Sequence, residues 1–390
     1  MSIKLGDICE FQSGGTPAKG NTEYYNGNIP WITTIALNGG WIDANDAVGW
    51  ITEKAIKESA AKIVPAHSIM VGTRVGVGKV AVNAVSMATS QDIISLLKID
   101  EARWSKDYLC KFLQSKNNFL KAQARGATIK GIKIDVLSKL RVPEISIEKQ
   151  NYISKVIDMV KQVIIFRKNE LQKLDELIRA RFVELFGDPM VNSFGWDTTR
   201  VENLVASCEA GWSGNGTQRE KEDGEIAVLK VSAVTKGYFI PGECKVLDDQ
   251  DTIKKYVSPQ AGDLLFSRAN TREMVGATAV ITQDYPEHIL PDKLWKIRFL
   301  DKANVWYMKY VLSSESIRSI FSSVSTGTSG SMFNVSMDKF KSIRVPIPPI
   351  EYQQQFATFV TEVDKSKVKV QKALDETQKL FDSLMQQYFG

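Results

Sequence analysis

Apolar residues recur at alternating steps of three and four along two stretches of this chain. Ile153, Ile157, Val160, Ile164, Leu171, Leu174, Ile178 and Leu185 form the first series, broken by Arg167 and Arg181. Phe356, Val360, Val363, Val370, Leu374, Phe381, Leu384 and Tyr388 form the second, broken by Lys367 and Thr377. A 3.5-residue period held for about five heptads is the seam of a coiled coil, not the wider stripe of an ordinary surface helix. At ~1.5 Å per residue, a helix of about 40 residues spans roughly 60 Å. Two such seams in one chain most simply cover each other by antiparallel pairing.

The two stretches are copies. Arg141-Val142-Pro143 reappears as Arg344-Val345-Pro346, an offset of 203, and that offset carries Asp135 to Asp338, Gln150 to Gln353, Leu171 to Leu374 and Phe186-Gly187 to Phe389-Gly390. No insertion or deletion intervenes over about fifty positions. A register kept for that length implies that a dimension is being kept.

Before each helix the pattern changes to short apolar runs between turn residues. In the first half, 68–74 and 78–82 read as strands around a tight turn and 93–99 as another strand, while 107–123 has helical composition. Tyr24 to Ile32, rich in Asn, Gly and Pro, reads as loops closing short strands. The second half repeats the plan with diverged residues: 200–204 answers the opening, 263–268 and 276–280 answer the hairpin, 294–299 the next strand and 306–312 the helix. On this alignment Arg268 answers Arg74, and Asp292 sits where Asp92 did. The expected fold is α+β: two α/β domains joined by two long helices in an antiparallel coiled coil, an internal repeat with pseudo-twofold symmetry. The divisions fall at 1–145, 146–187, 188–348 and 349–390.

Composition narrows the class. With 390 residues and 43% hydrophobic, the chain suits two domains plus connecting helices. A net charge of +5 permits a polyanionic partner without requiring one. Cys9, Cys110, Cys208 and Cys244 show no CxxC spacing, which argues against a disulfide scaffold or zinc site and for a reducing cytoplasm. No signal-peptide pattern and no run of ~20 apolar residues is present, so no membrane partner is expected.

Catalytic patterns are missing. In Gly72-Thr73-Arg74-Val75-Gly76-Val77-Gly78-Lys79-Val80 the first glycine is one place off a phosphate loop, and Val80 stands where magnesium needs a hydroxyl; it reads as a hairpin turn. No dinucleotide fingerprint opens a βαβ unit. The only Pro-Pro, Pro348-Pro349, follows Ile347, so there is no Pro-Pro-aromatic tetrapeptide of the adenine-methyltransferase kind. Pro291-Asp292 is not followed by the Glu-x-Lys of a nuclease. The chain is expected not to be an enzyme and to bind no cofactor of its own.

These features together resemble the specificity (S) subunit of Type I restriction-modification systems, over essentially the whole chain. The resemblance rests on Thr16-Pro17 with Gly27-Asn28-Ile29-Pro30-Trp31-Ile32, on Arg74 and Arg268 at the hairpins, and on the two junctions. Those are Gly126-Ala127-Thr128 with Val142-Pro143 and Gln150, and Gly327-Thr328 with Val345-Pro346-Ile347-Pro348-Pro349-Ile350-Glu351 and Gln353. The first junction departs from the pattern, with Glu144-Ile145-Ser146 in place of Ile347-Pro348-Pro349. The resemblance implies two target recognition domains, each reading one half of a bipartite double-stranded DNA target. It implies helices that set the gap between half-sites and dock two modification (methyltransferase) subunits, with restriction (translocase) subunits as further partners. S-adenosylmethionine, ATP and magnesium are then implied for those partners.

Reading base edges takes side chains that can form two hydrogen bonds to one base, presented from loops. The candidates are Arg74, Lys79, Gln91, Lys130 and Lys133 in the first half, and Arg268, Asn270, Thr271, Arg272, Lys293 and Ser329 in the second. Any one of them is otherwise a solvated charge or a phosphate contact; Arg74 and Arg268, taken as repeated positions, are the stronger pair. Asp92 and Asp292 are structural carboxylates or acceptors for cytosine N4. Trp31, Trp41 and Trp50 read as packing residues rather than base stackers. Two other classes compete: a self-contained methyltransferase or nuclease, and a two-module coiled-coil scaffold that binds protein rather than DNA.

Overall fold

The computed structural model describes residues 1–126, 131–324 and 333–390. They fall into two compact units, 1–168 with 372–390, and 169–371. Each long stretch is a single α-helix, Ile147–Phe186 and Ile350–Phe389, and each unit takes half of each helix. The unit boundary thus runs through the helices rather than at their ends.

The first unit stacks two sheets. One has the order Glu10–Ser13, Ile93–Leu97, Ile69–Gly72, Val80–Asn83, Trp41–Ile42; the other has the order Gly49–Ile51, Tyr25–Ile32, Met87–Thr89, Ile63–Val64. Strand alternation explains the stacking. Ile69, Val71, Val80, Val82 and Leu96 face the helix Lys106–Ser115 with its Tyr108 and Phe112, while Met70, Ala81 and Ile93 face Ile32 and Met87 of the other sheet. The segment expected as loops is the eight-residue strand Tyr25–Ile32. It tolerates Asn and Gly because it bulges between Tyr25 and Ile29, where a Cβ on Gly27 would lie 2.2 Å from the Ile51 carbonyl oxygen. The helix expected over 107–123 is two, Lys106–Ser115 and Asn117–Gln123.

The second unit repeats the first sheet as Val205–Ala210, Leu294–Phe299, Leu264–Ser267, Thr278–Val280. It adds a sheet of two- to four-residue strands, Gly216–Thr217, Cys244–Leu247, Ala227–Leu229 and His288–Ile289, which periodicity did not foretell. Strand pairs are mostly antiparallel, with parallel pairs at Trp31↔Ala88, Trp41↔Val82 and Ala227↔His288.

The junctions are the same in both units. Ser2–Lys4 pairs with Arg141–Pro143, and Thr198–Arg200 with Arg344–Pro346, so each domain is closed where its long helix departs. Fully buried Gln150 accepts from Ser105 N at 2.9 Å and donates to Arg103 O at 3.0 Å and Ile145 O at 2.9 Å. Gln353 repeats the clamp with Asn304 N at 2.8 Å, Lys302 O at 3.2 Å and Pro348 O at 2.8 Å. A buried amide that fills all three bonds fixes one backbone arrangement, because leaving any of them unmade is costly.

Within the first unit, Ile153 and Ile157 at the start of one helix share a core with Phe381, Met385, Tyr388 and Phe389 at the end of the other. Within the second, Ile178, Phe182 and Phe186 share a core with Phe356, Val360 and Val363. The pairing is therefore antiparallel, as the seams imply. The seam itself ends differently from expectation. The last buried residues of the first helix are Ile178, Phe182 and Phe186, four apart, because there the helix packs on Tyr307 and Tyr310 of the domain as well as on its partner helix. One polar interruption is an interhelical bond: Lys367 Nζ lies 2.6 Å from Asp175 Oδ1 and 3.4 Å from Asp364 Oδ1.

Candidate nucleic-acid interface

In the first unit three segments meet where the strand Ile69–Gly72 ends. Thr73 N and Oγ1 both donate to Asp92 O, at 2.8 and 3.1 Å, and Ile132 N donates to Thr73 O at 2.8 Å. This brings Arg74, Gln91 and Lys133 to one rim, all three exposed. Lys79 joins them from the far side of the hairpin: its carbonyl accepts from Gly72 N at 2.8 Å and its Nζ reaches Thr34 O at 3.5 Å. The Arg74 guanidinium stands 3.9 Å from the Asp92 carboxylate. At that distance the two groups attract without a hydrogen bond, so the half-exposed guanidinium keeps its five N–H donors for a ligand.

The second unit builds its rim at the corresponding strand. Arg268 N donates to Lys293 O at 3.0 Å, and Val335 N to Arg268 O at 2.9 Å. The Arg268 guanidinium donates through Nε to Asp292 O at 2.7 Å and lies 3.4 Å from Asp292 Oδ2. Ser213 Oγ bonds the other carboxylate oxygen, a residue that sequence reasoning missed, although Gly211, Gly214 and Gly216 around it mark a tight loop. Asn270 lies in the short strand Ala269–Asn270 paired with Phe333–Asn334; Thr271 is exposed, and the Arg272 guanidinium sits 5.0 Å over the Phe333 ring. Lys130 and Ser329 lie outside the described residues.

Ladder register corrects one expectation. Ile93 pairs with Gly72 and Leu294 with Ser267, so Arg268 occupies the position of Thr73, and Lys293, not Asp292, that of Asp92. Both Arg–Asp pairs are nonetheless present, each displaced by one residue on both segments. Two of the tryptophans are also corrected: Trp41 and Trp50 are 51% and 43% exposed, because each takes the outward face of a short edge strand whose next residue, Ile42 or Ile51, takes the buried one. Trp31 is half-buried, its Nε1 donating to Gly15 O at 3.2 Å.

Beside the second rim lies a cleft of about 860 Å³ lined by Arg179, Arg272, Lys309 and Arg318 among others. Lys309 Nζ lies 4.2 Å from the Tyr310 ring and 5.7 Å from that of Trp306. Burial pushes its ammonium down to about 8, against the opposing pull of Asp364 and Asp175. Burial also raises the four thiols, Cys9 to about 12 and Cys110 and Cys208 to about 11, so they are protonated near neutral pH. On the long helices, two exposed apolar positions recur at the 203 offset, Ile165 with Val368 and Leu177 with Leu380, which gives each unit one residue of each pair. No helix among the described residues is long and apolar enough to cross a membrane.

The family model described as the Type I restriction modification DNA specificity domain matches residues 1–176 and again 195–377. The MjaIX specificity subunit of Methanocaldococcus jannaschii is 28% identical over 61% of the chain, and the EcoKI specificity subunit of Escherichia coli K12 is 22% identical over 93%. The aligned region spans 58% of the MjaIX subunit's length and 82% of the EcoKI subunit's, but only 34% of that of the EcoEI subunit of Escherichia coli. Among solved structures, a chain from a study of type I R-M system assembly is similar with a TM-score of 0.60 and 15% identity, covering 100% of this chain and 97% of that one. The S subunit from M. genitalium is similar with a TM-score of 0.56 and 13% identity, over 100% and 96%. At these identities the likeness is one of fold.

Proposed function

Because the chain belongs to the family of Type I restriction modification DNA specificity domains, we propose that it is the sequence-reading subunit of a Type I restriction-modification complex and performs no chemistry itself. Each unit reads one half of a bipartite duplex target, and the long helices fix the gap. Two modification subunits dock on the helices, at the recurring exposed pairs Ile165/Val368 and Leu177/Leu380, with restriction subunits as further partners. The observation that carries the reading is the pair of rims, each with an arginine beside an aspartate at the end of the same strand of a duplicated sheet.

Both arginines suit direct readout, since their donors match the O6 and N7 acceptors of guanine in the major groove. Arg268, hydrogen-bonded to Asp292, also loses little further freedom on binding. Lys79, Lys133, Arg272 and Lys293 supply positive charge for phosphates, which position without specifying. S-adenosylmethionine, carried by the modification subunits, supplies the methyl group for adenine N6; ATP and magnesium serve the restriction subunits. This chain's part is to hold the duplex in register.

The test is single-molecule sequencing of N6-methyladenine across the source genome with the gene intact and deleted. One split motif should lose methylation on deletion, and that motif names both half-sites. An unchanged methylome, together with no selective retention of duplex DNA by the chain and its co-purified subunits, would sink the reading.

A further inference from the structure

The hairpin of the first unit is braced so that its tip holds one shape. A Cβ on Gly72 would fall 2.5 Å from the Gly76 carbonyl oxygen, and Gly76 and Gly78 hold φ values of +73° and +79° that side chains rarely adopt. Thr34 packs behind the turn, its Cγ2 and Cβ each 3.5 Å from the Cβ positions of Gly72 and Gly76. Two β-branched apolar residues are set on the rim by this arrangement. Val75, between Arg74 and Gly76, is 59% exposed; Ile35, following Thr34, is 79% exposed. Their χ1 angles have few options, so they stand as stiff as the backbone that carries them.

Single exposed apolar residues are ordinary on protein surfaces. These two differ by position: Val75 adjoins Gly76 and Ile35 adjoins Thr34, the two residues in contact behind the turn, where Lys79 Nζ reaches the Thr34 carbonyl oxygen at 3.5 Å and Arg74 precedes Val75. Neither belongs to any buried cluster of the unit. On a rim that meets DNA, an aliphatic side chain has one apolar feature to find among the major-groove base edges, the C5-methyl of thymine. We infer that Ile35 and Val75 are specificity-determining residues that read a thymine through its C5-methyl group in the half-site taken by the first unit. The inference rests on the DNA-reading function proposed above and adds the chemical group that the rim recognises.

The experiment uses the tagged full chain, purified in the complex it forms in its own cell. It is bound to its target duplex with each thymine of both half-sites replaced in turn by deoxyuridine, which removes only the methyl. One replacement should weaken binding about fourfold, the size expected when one buried methyl returns to water. Ile35→Ala or Val75→Ala should weaken binding to the thymine duplex by a similar factor and should make that replacement silent. Binding to the uridine duplex should be equal for wild type and variant, which also shows that the variant is folded. Tolerance of uridine at every position, a half-site without thymine, or a methyl effect that persists in both variants would overturn the inference while leaving the DNA reading intact. Absence of any sequence-selective binding by the wild-type complex removes the DNA reading, and the inference with it.

Discussion

The ring of Phe389, the next-to-last residue, lies 5.2 Å from that of Tyr108 in the core of the first unit, as Phe186 lies 4.9 Å from Tyr307 in the second. Each long helix begins at the junction of one domain and finishes as a plug in the core of the other. Lys116 Nζ donates to the Phe389 carbonyl and Phe112 flanks the ring, so the plug is held by packing and by a cap on the helix end.

Phe389→Ala should cost about 3–5 kcal/mol, the range for a buried phenylalanine that leaves a cavity, with a matching loss for Phe186→Ala. Urea unfolding of the full chain measures both. A loss below ~1 kcal/mol at Phe389 would mean that the helix end is not part of the folded core.

Arg74→Ala and Arg268→Ala should each relax selectivity at one half-site and leave the other unchanged. The expected loss is about 5- to 150-fold in affinity, corresponding to ~1–3 kcal/mol for a bidentate base contact. Competition binding against duplexes altered in one half at a time checks this. A uniform loss at both halves, with a shallower salt dependence, would instead mark a phosphate contact.

Inserting seven residues at 168 and seven at 371, the boundary between the units, keeps the heptad phase and lengthens both helices by ~10.5 Å. The methylated motif should keep both half-sites and gain about three base pairs of gap at 3.4 Å each. Changed half-sites, or an unchanged gap, would show that the helices do not set the spacing.

Lys309 gives the chain a pH-dependent term with a definite sign. Its folded value, about 8, is depressed from 10.5, so between those limits the unfolded chain binds more protons at this residue than the folded one. Stability from this group is least below pH 8 and rises as pH climbs toward 10.5. Lys309→Met, of similar volume, should remove that rise. Chemical unfolding of both proteins at pH about 8 and about 10 compares the slopes, and equal slopes would refute it.

The duplication was legible because its offset is constant, and the long helices because their period holds for forty residues. The plugs were not legible, since Phe182, Phe186 and Phe389 leave the 3.5-residue seam to satisfy a domain core. The register of Arg268 was hidden for a similar reason. Seven residues, 73–79, join the hairpin strands in the first unit and ten, 268–277, in the second, so only the ladder bonds show which positions correspond. Exposure of Trp41 and Trp50 depends on which face of their two- and three-residue strands meets the core, and strands that short show no alternation to read. Strands of two to four residues, as in the added sheet of the second unit, are too short to show a period.

The reciprocal plugs also say what half of this molecule would be. Residues 1–187 have a seat opposite Tyr108 that the far end of the chain normally fills, and they carry on their own end the phenylalanine and glycine that match it at the 203 offset. Such a segment is incomplete alone and complementary to a copy of itself. Its expected form is a twofold pair, and under the proposed function a reader built from two identical halves would recognise a palindrome, where the whole chain, with its diverged halves, would recognise two unlike half-sites.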